Sequence, residues 1–111
     1  MGASGQYLAA SSAENLRIVR GIVMPGGTVY PGGTTNGNGF FISRTGTGSY
    51  AITFTPAFAD VPVLTLTPYS ANAPVTANCN SGSPGGYSTV VTWVGSAKAD
   101  SWWNFVAVGG R

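Results

Sequence analysis

Clusters of glycine, proline and asparagine divide the sequence into short segments, and this punctuation constrains the fold more than any other feature. Glycine occurs 17 times and proline 7 times in 111 residues, mostly in dipeptides typical of tight turns. The clusters include residues 25–27, 31–33, 36–39, 45–48 and 81–86. The segments between them are rich in β-branched and aromatic residues, which favour strands. Short strands joined by tight turns predict an all-β fold.

Alternation of apolar and polar residues marks the individual strands. Between residues 49 and 55, Tyr50, Ile52 and Phe54 fall on one face of an extended chain. The predicted strands cover residues 16–23, 28–30, 40–44, 49–55, 62–69, 74–80, 87–94 and 101–108. Arg20 and Gly21 interrupt the first pattern and predict a β-bulge there. We expect six to eight strands in an antiparallel β-sandwich or jelly roll.

The first fifteen residues differ from the rest of the chain. Residues 8–15 are the one segment with helical character, and a helix this short is unstable alone in water. We interpret residues 1–15 as the remnant of a stalk or as an added leader. Residues 16–111 then form the β-sandwich domain.

Charge is scarce along the whole chain. Charged residues make up 7% of the sequence, against about 25% in an average soluble protein. A mixed charged surface keeps small domains apart in solution, so a chain this poor in charge is expected to bury surface against copies of itself. The net charge of +2 is scattered, without the basic stripe that typifies nucleic-acid binding. No apolar run approaches the ~18 residues that span a membrane.

The last predicted strand is apolar on both faces. Trp103 and Phe105 share one face, and Trp102 and Val106 share the other. A strand with one face on a core and the other in water alternates apolar with polar residues. Exposed apolar surface usually marks an interaction site. We therefore predict that Trp102, Trp103, Phe105 and Val106 contribute to an oligomer interface, with cover by a loop of the same chain as the alternative.

Few residues are suited to catalysis. The absence of histidine excludes histidine-based triads and histidine metal sites. Glu14 precedes the predicted sandwich, while Asp60 and Asp100 lie in predicted connections and resemble turn residues. Cys79 is the single cysteine, so no disulfide can form within the chain. We predict no enzyme activity, no metal and no cofactor.

Several residues are suited to binding a glycan. Glycan sites stack a sugar on an aromatic ring while amides bind its hydroxyl groups, as in other small-molecule sites with a few polar groups. Trp93 ends a predicted strand, and Tyr30 lies in a Gly/Pro-rich connection near Asn36 and Asn38. These four are the predicted ligand-binding residues. Core packing or protomer contact is the alternative for either aromatic residue.

The second half of the chain resembles the H-type lectin domain. The likeness includes Tyr50, Ile52 and Phe54 followed by Phe58 and Pro62-Val63. Further on, the turn at residues 83–86 leads into Val91-Thr92-Trp93 and an apolar final strand. The resemblance implies a six-stranded antiparallel sandwich that forms trimers, with Trp93 at the position of a sugar-site tryptophan. Val94 and Ala99 depart from the residues that accompany this tryptophan in lectins specific for N-acetylgalactosamine, so the resemblance does not extend to that specificity.

The first half resembles the start of the C-terminal head domains of phage tail fibres and related bacterial fibrous proteins. Residues 13–21, a glycine-rich turn and Gly39-Phe40 carry this likeness. It implies a trimeric knob on a stalk, located on a virion tail fibre or another extracellular fibre. Such a head serves trimerisation and capping, with receptor or glycan binding as an added role. A lectin whose main function is carbohydrate recognition is the alternative.

Overall fold

The computed structural model describes residues 16–69 and 75–111, and every regular element in this part of the chain is a β-strand. The strands are β1 (Leu16–Val23), β2 (Phe40–Gly46), β3 (Ser49–Phe54), β4 (Val63–Tyr69), β5 (Val75–Ser83), β6 (Gly86–Val94), β7 (Ala97–Lys98) and β8 (Trp102–Gly110). The all-β prediction is confirmed. The predicted helix at 8–15, Glu14 and the start of the strand predicted at 74 lie outside the described residues.

The strands form two antiparallel sheets in a sandwich-like arrangement. One sheet has the order β1-β8-β4, and the other has the order β2-β3-β6-β5 with β7 paired to β6. Aromatic side chains from both sheets meet in the core: the ring centroids of Phe40 and Phe105 lie 4.9 Å apart, and those of Tyr50 and Trp103 lie 5.5 Å apart. In the smaller sheet, the order of the strands makes β8 the central strand and β1 and β4 the edge strands.

The β-bulge predicted at Arg20 and Gly21 is wrong. Strand β1 pairs with β8 in one unbroken register from Leu16 opposite Gly110 to Val23 opposite Trp103. Gly21 occupies an inward position, where a Cβ atom would lie 2.4 Å from Cζ of Phe40. The absence of a side chain at Gly21 therefore permits Phe40 to pack close to the strand, and the strand itself remains regular.

The connection between β1 and β2 contains less structure than predicted. The strand expected at residues 28–30 is reduced to isolated bridges, in which Val29 faces Val23 on one side and Thr34 on the other. The two-residue strand β7 was not predicted, because Ala97-Lys98 carries no strand signal beyond its pairing with the end of β6.

Candidate binding site

A cleft of about 810 Å³ opens along the free edge of β1. Three of the four predicted ligand-binding residues, Tyr30, Asn36 and Asn38, line it. Arg20 and Val106 line it from the smaller sheet. Tyr30 and the two asparagines therefore lie along one cleft, and their binding role stays a prediction.

Backbone hydrogen bonds fold the β1–β2 connection against both strands. The Tyr30 N–H donates to Ile22 O at 2.9 Å, and the Ile42 N–H donates to Thr35 O at 2.8 Å. Gly37 lies over the Phe40 ring, where a Cβ atom would sit 2.2 Å from Cζ. Any side chain at this position would collide with the Phe40 ring, so glycine is needed for the connection to pass this close. Asn36 and Asn38, on either side of Gly37, line the cleft.

Tyr30 presents a supported aromatic surface to the cleft. Its side chain is 49% exposed. Its ring packs edge-on against Trp102 with the centroids 5.6 Å apart, and Trp102 also contacts Tyr69 at 6.0 Å. Two tyrosines of the same chain therefore cover part of Trp102. This favours the alternative given above for Trp102, in which the chain itself covers the residue and no second copy is needed.

The backbone of β1 contributes polar groups to the same cleft. In an antiparallel strand, the N–H and C=O of one residue point to the same side, and the direction alternates along the chain. Since Ile22 O faces Tyr30 and not β8, the backbone groups of Ile18 and Arg20 also face away from β8. Among the described residues, no backbone group binds those of Ile18 or Arg20 on that side.

Arg20 and Asn104 are cleft residues that the sequence analysis did not single out. Arg20 is the one charged residue in the lining. Asn104 lines the cleft beside it, and its Oδ1 is buried without a hydrogen-bond partner in the described part of the chain. Strict alternation through Arg20 predicts a side chain on the face of β1 that points away from the core, but the bulge predicted there obscured this signal.

Trp93 lies apart from the cleft, on β6 of the larger sheet. Its Nε1 donates a hydrogen bond to Asn78 Oδ1 at 3.1 Å. The ammonium of Lys98 lies 5.9 Å from the centroid of the Trp93 ring. These contacts with neighbouring strands give Trp93 a local packing role, and the four predicted ligand residues do not form one site.

Two of the four predicted interface residues belong to the core, so this part of the interface prediction needs correction. Trp103 is 0% exposed and Phe105 is 2% exposed within the single chain. Both side chains point between the sheets and offer no surface to a partner. The other two, Trp102 and Val106, lie on the opposite face of β8, as the sequence pattern indicated.

That opposite face, which we call the outer face of the smaller sheet, carries an apolar row. Ile18 of β1 pairs with Val108 of β8, which pairs with Val63 of β4. Ile18 is 64% exposed and Val63 is 69% exposed, and the neighbouring Val106 is 41% exposed. Such a row is unusual for a sheet face in water, where polar residues are expected.

Both aspartates, Asp60 and Asp100, are engaged in hydrogen bonds outside the strands. Asp100 accepts bonds from the Arg44 guanidinium, with Nη2 to Oδ2 at 2.9 Å, and from the Gly48 N–H at 2.7 Å. The hydrogen bonds from Arg44 are the main reason that the pKa of Asp100 lies below its usual range. Asp60 Oδ1 accepts a hydrogen bond from the Gly110 N–H at 3.4 Å. Residues 16–69 and 75–111 hold no group of three potential metal ligands among Cys, Asp and Glu.

Comparisons with protein-family models, curated proteins and solved structures found no match to this chain. In the part that the structure describes, there is no helix long and apolar enough to cross a membrane.

Proposed function

We propose that this chain is a non-enzymatic head domain of a fibre, which assembles with copies of itself through the outer face of the smaller sheet. The apolar row of Ile18, Val108 and Val63, whose two outer members are exposed, carries this proposal. The resemblance to fibre heads and H-type lectins supplies the three-fold state. Trimerisation and capping of the fibre would be the function of such a head.

The energetics of burial favour contact at this face. Burying an aliphatic side chain contributes about 1.5–3 kcal/mol relative to leaving it in water. Ile18, Val63 and Val106 all keep more than a third of their surface exposed. A copy of the chain is the occupant we propose, because charged residues are only 7% of the sequence and little repulsion opposes self-contact.

Placing a charge in the apolar row is expected to prevent assembly. Val63→Arg buries an unpaired guanidinium if the copies stay together, which is costly. Light scattering at micromolar concentration should give the mass of three chains for the unchanged protein and of one chain for Val63→Arg. Val94→Arg is the matched control, since Val94 is exposed at the end of β6 in the other sheet. An unchanged protein with the mass of one chain would contradict the proposal.

Saccharide binding in the cleft is a second candidate function. It is favoured by the exposed, supported ring of Tyr30 beside the amides of Asn36 and Asn38. The apolar face of a sugar stacks on such a ring, and the amides supply both donors and acceptors for hydroxyl groups.

Removal of the Tyr30 ring is expected to abolish a glycan-array signal. Tyr30→Ala deletes the stacking surface, whereas Tyr69→Ala removes a tyrosine that also contacts Trp102 but does not line the cleft. The signal should therefore persist in Tyr69→Ala. A signal that survives Tyr30→Ala and is lost in Trp93→Ala would instead locate the site on β6.

A further inference from the structure

We infer that the cleft along β1 binds a saccharide that carries a carboxylate group. The inference rests on the second candidate function and names the class of its ligand. Ile18, Arg20 and Val106 line the cleft and also lie on the outer face, so the proposed assembly is expected to leave the Arg20 side of the cleft open.

The cleft carries a single charge, and that charge is positive. Arg20 lies among apolar residues, glycines, Tyr30 and the three asparagines of the lining, with no Asp or Glu. In the described ranges, the ion pair present is that of Arg44 with Asp100, on a different part of the fold. The guanidinium of Arg20 therefore has no carboxylate among those residues. An anionic ligand would supply one.

The hydrogen-bonding groups of the cleft suit a sugar acid better than a neutral sugar. The guanidinium fork of arginine matches a carboxylate with two parallel N–H···O bonds. The backbone N–H groups of Ile18 and Arg20 face the same space and add donors. Asn36 and Asn38 on the opposite wall can bind ring hydroxyl groups. A carboxylate at Arg20 would place the sugar ring between β1 and the β1–β2 connection.

Asn104 points to a polar ligand by an independent observation. Its Oδ1 is buried without a partner, and leaving a buried acceptor unpaired costs roughly 1–3 kcal/mol. None of the described residues forms a hydrogen bond with the Asn104 side chain. A rotation of the amide toward the cleft would let a sugar hydroxyl donate to this oxygen.

The decisive measurement compares an acid with its neutral ester. Calorimetric titration of the full chain uses trigalacturonate and its methyl ester, and sialyllactose and its methyl ester as a second pair. We expect the dissociation constant of each acid to be lower than that of its neutral counterpart by a factor of about ten or more, because charge-assisted hydrogen bonds are roughly twice as strong as neutral ones. High salt should reduce this preference. Acetate alone should bind far more weakly than either acid, since it lacks the ring that contacts Tyr30.

Variants of Arg20 connect the preference to the cleft. Arg20→Gln should bring the ratio of the binding constants for acid and ester to one. Arg20→Lys should keep part of the preference, because the positive charge remains without the two parallel N–H donors of the guanidinium. Lys98→Gln removes the same charge from the other sheet and should leave the ratio unchanged. Asn36→Ala combined with Asn38→Ala should weaken acid and ester alike. The ratio is measured within each variant, so it can still be compared where a change at Arg20, which lies on the outer face opposite Val106, alters the assembly mass.

Three outcomes would overturn the inference. Equal binding of acid and ester would reject the carboxylate but leave saccharide binding in place. A preference that survives Arg20→Gln would reject Arg20 as its source. No binding of any saccharide would reject both the inference and the second candidate function, while the assembly proposal would still be decided by light scattering.

Discussion

Replacing Gly86 with alanine is expected to lower the free energy of unfolding by about 3–5 kcal/mol, from backbone strain and overpacking together. Gly86 has φ +149°, and a Cβ atom there would lie 2.0 Å from Ile52 O. The obstacle is main chain of β3, which pairs Thr53 with Gly86 and cannot turn aside as a side chain could. The change would force apart the central pair of the larger sheet.

Gly85 provides the matched control for this prediction. It precedes Gly86 in the same turn, but the nearest atom to an added Cβ is Ser83 Oγ at 3.9 Å. Gly85→Ala should change the free energy of unfolding by no more than about 0.5 kcal/mol, as is usual for surface positions. Urea unfolding of both variants gives the comparison. Equal losses in the two variants would show that glycine content of the turn, and not the contact with Ile52, sets the stability.

The strands could be predicted from the sequence because turns and alternation are local signals. Tyr50, Ile52 and Phe54 alternate in the sequence and all three are buried in the structure. The pairing of β8 between β1 and β4 is not a local property, because it joins residues more than thirty positions apart. The prediction that β8 is apolar on both faces was correct, but the sequence alone did not say which face belonged to the core.

The cleft was predictable only in part, for the same reason. Tyr30, Asn36 and Asn38 lie in one glycine-rich connection, so their proximity follows from the sequence. Arg20 and Asn104 reach the cleft through the pairing of β1 with β8, where Ile22 lies opposite Asn104. Gly21 resembles a break in the strand when only its neighbours in the sequence are considered. The side chain that requires a glycine there is Phe40, which lies nineteen residues further along the chain.

The two adjacent tryptophans of β8 should respond very differently to truncation. Trp103 is fully buried and contacts the Tyr50 and Phe105 rings, with centroids 5.5 and 5.9 Å away. Trp103→Ala should lower the free energy of unfolding by about 3–5 kcal/mol, since it removes the largest buried side chain and leaves a cavity. Domains of this kind have only about 5–15 kcal/mol in total, so the variant should be close to unfolding at physiological temperature.

Trp102→Ala is the control, because its ring lies on the outer face between two exposed tyrosines. We expect it to lower the free energy of unfolding by about 1 kcal/mol, within the ordinary range for partly exposed sites. Trp103→Phe should fall between the two: it keeps an aromatic ring and removes Nε1, a buried donor without a partner in the described residues. Urea unfolding at several protein concentrations separates these effects from assembly, which makes apparent stability concentration-dependent. If Trp102→Ala proved as destabilising as Trp103→Ala, the assignment of the two faces of β8 to core and exterior would be wrong.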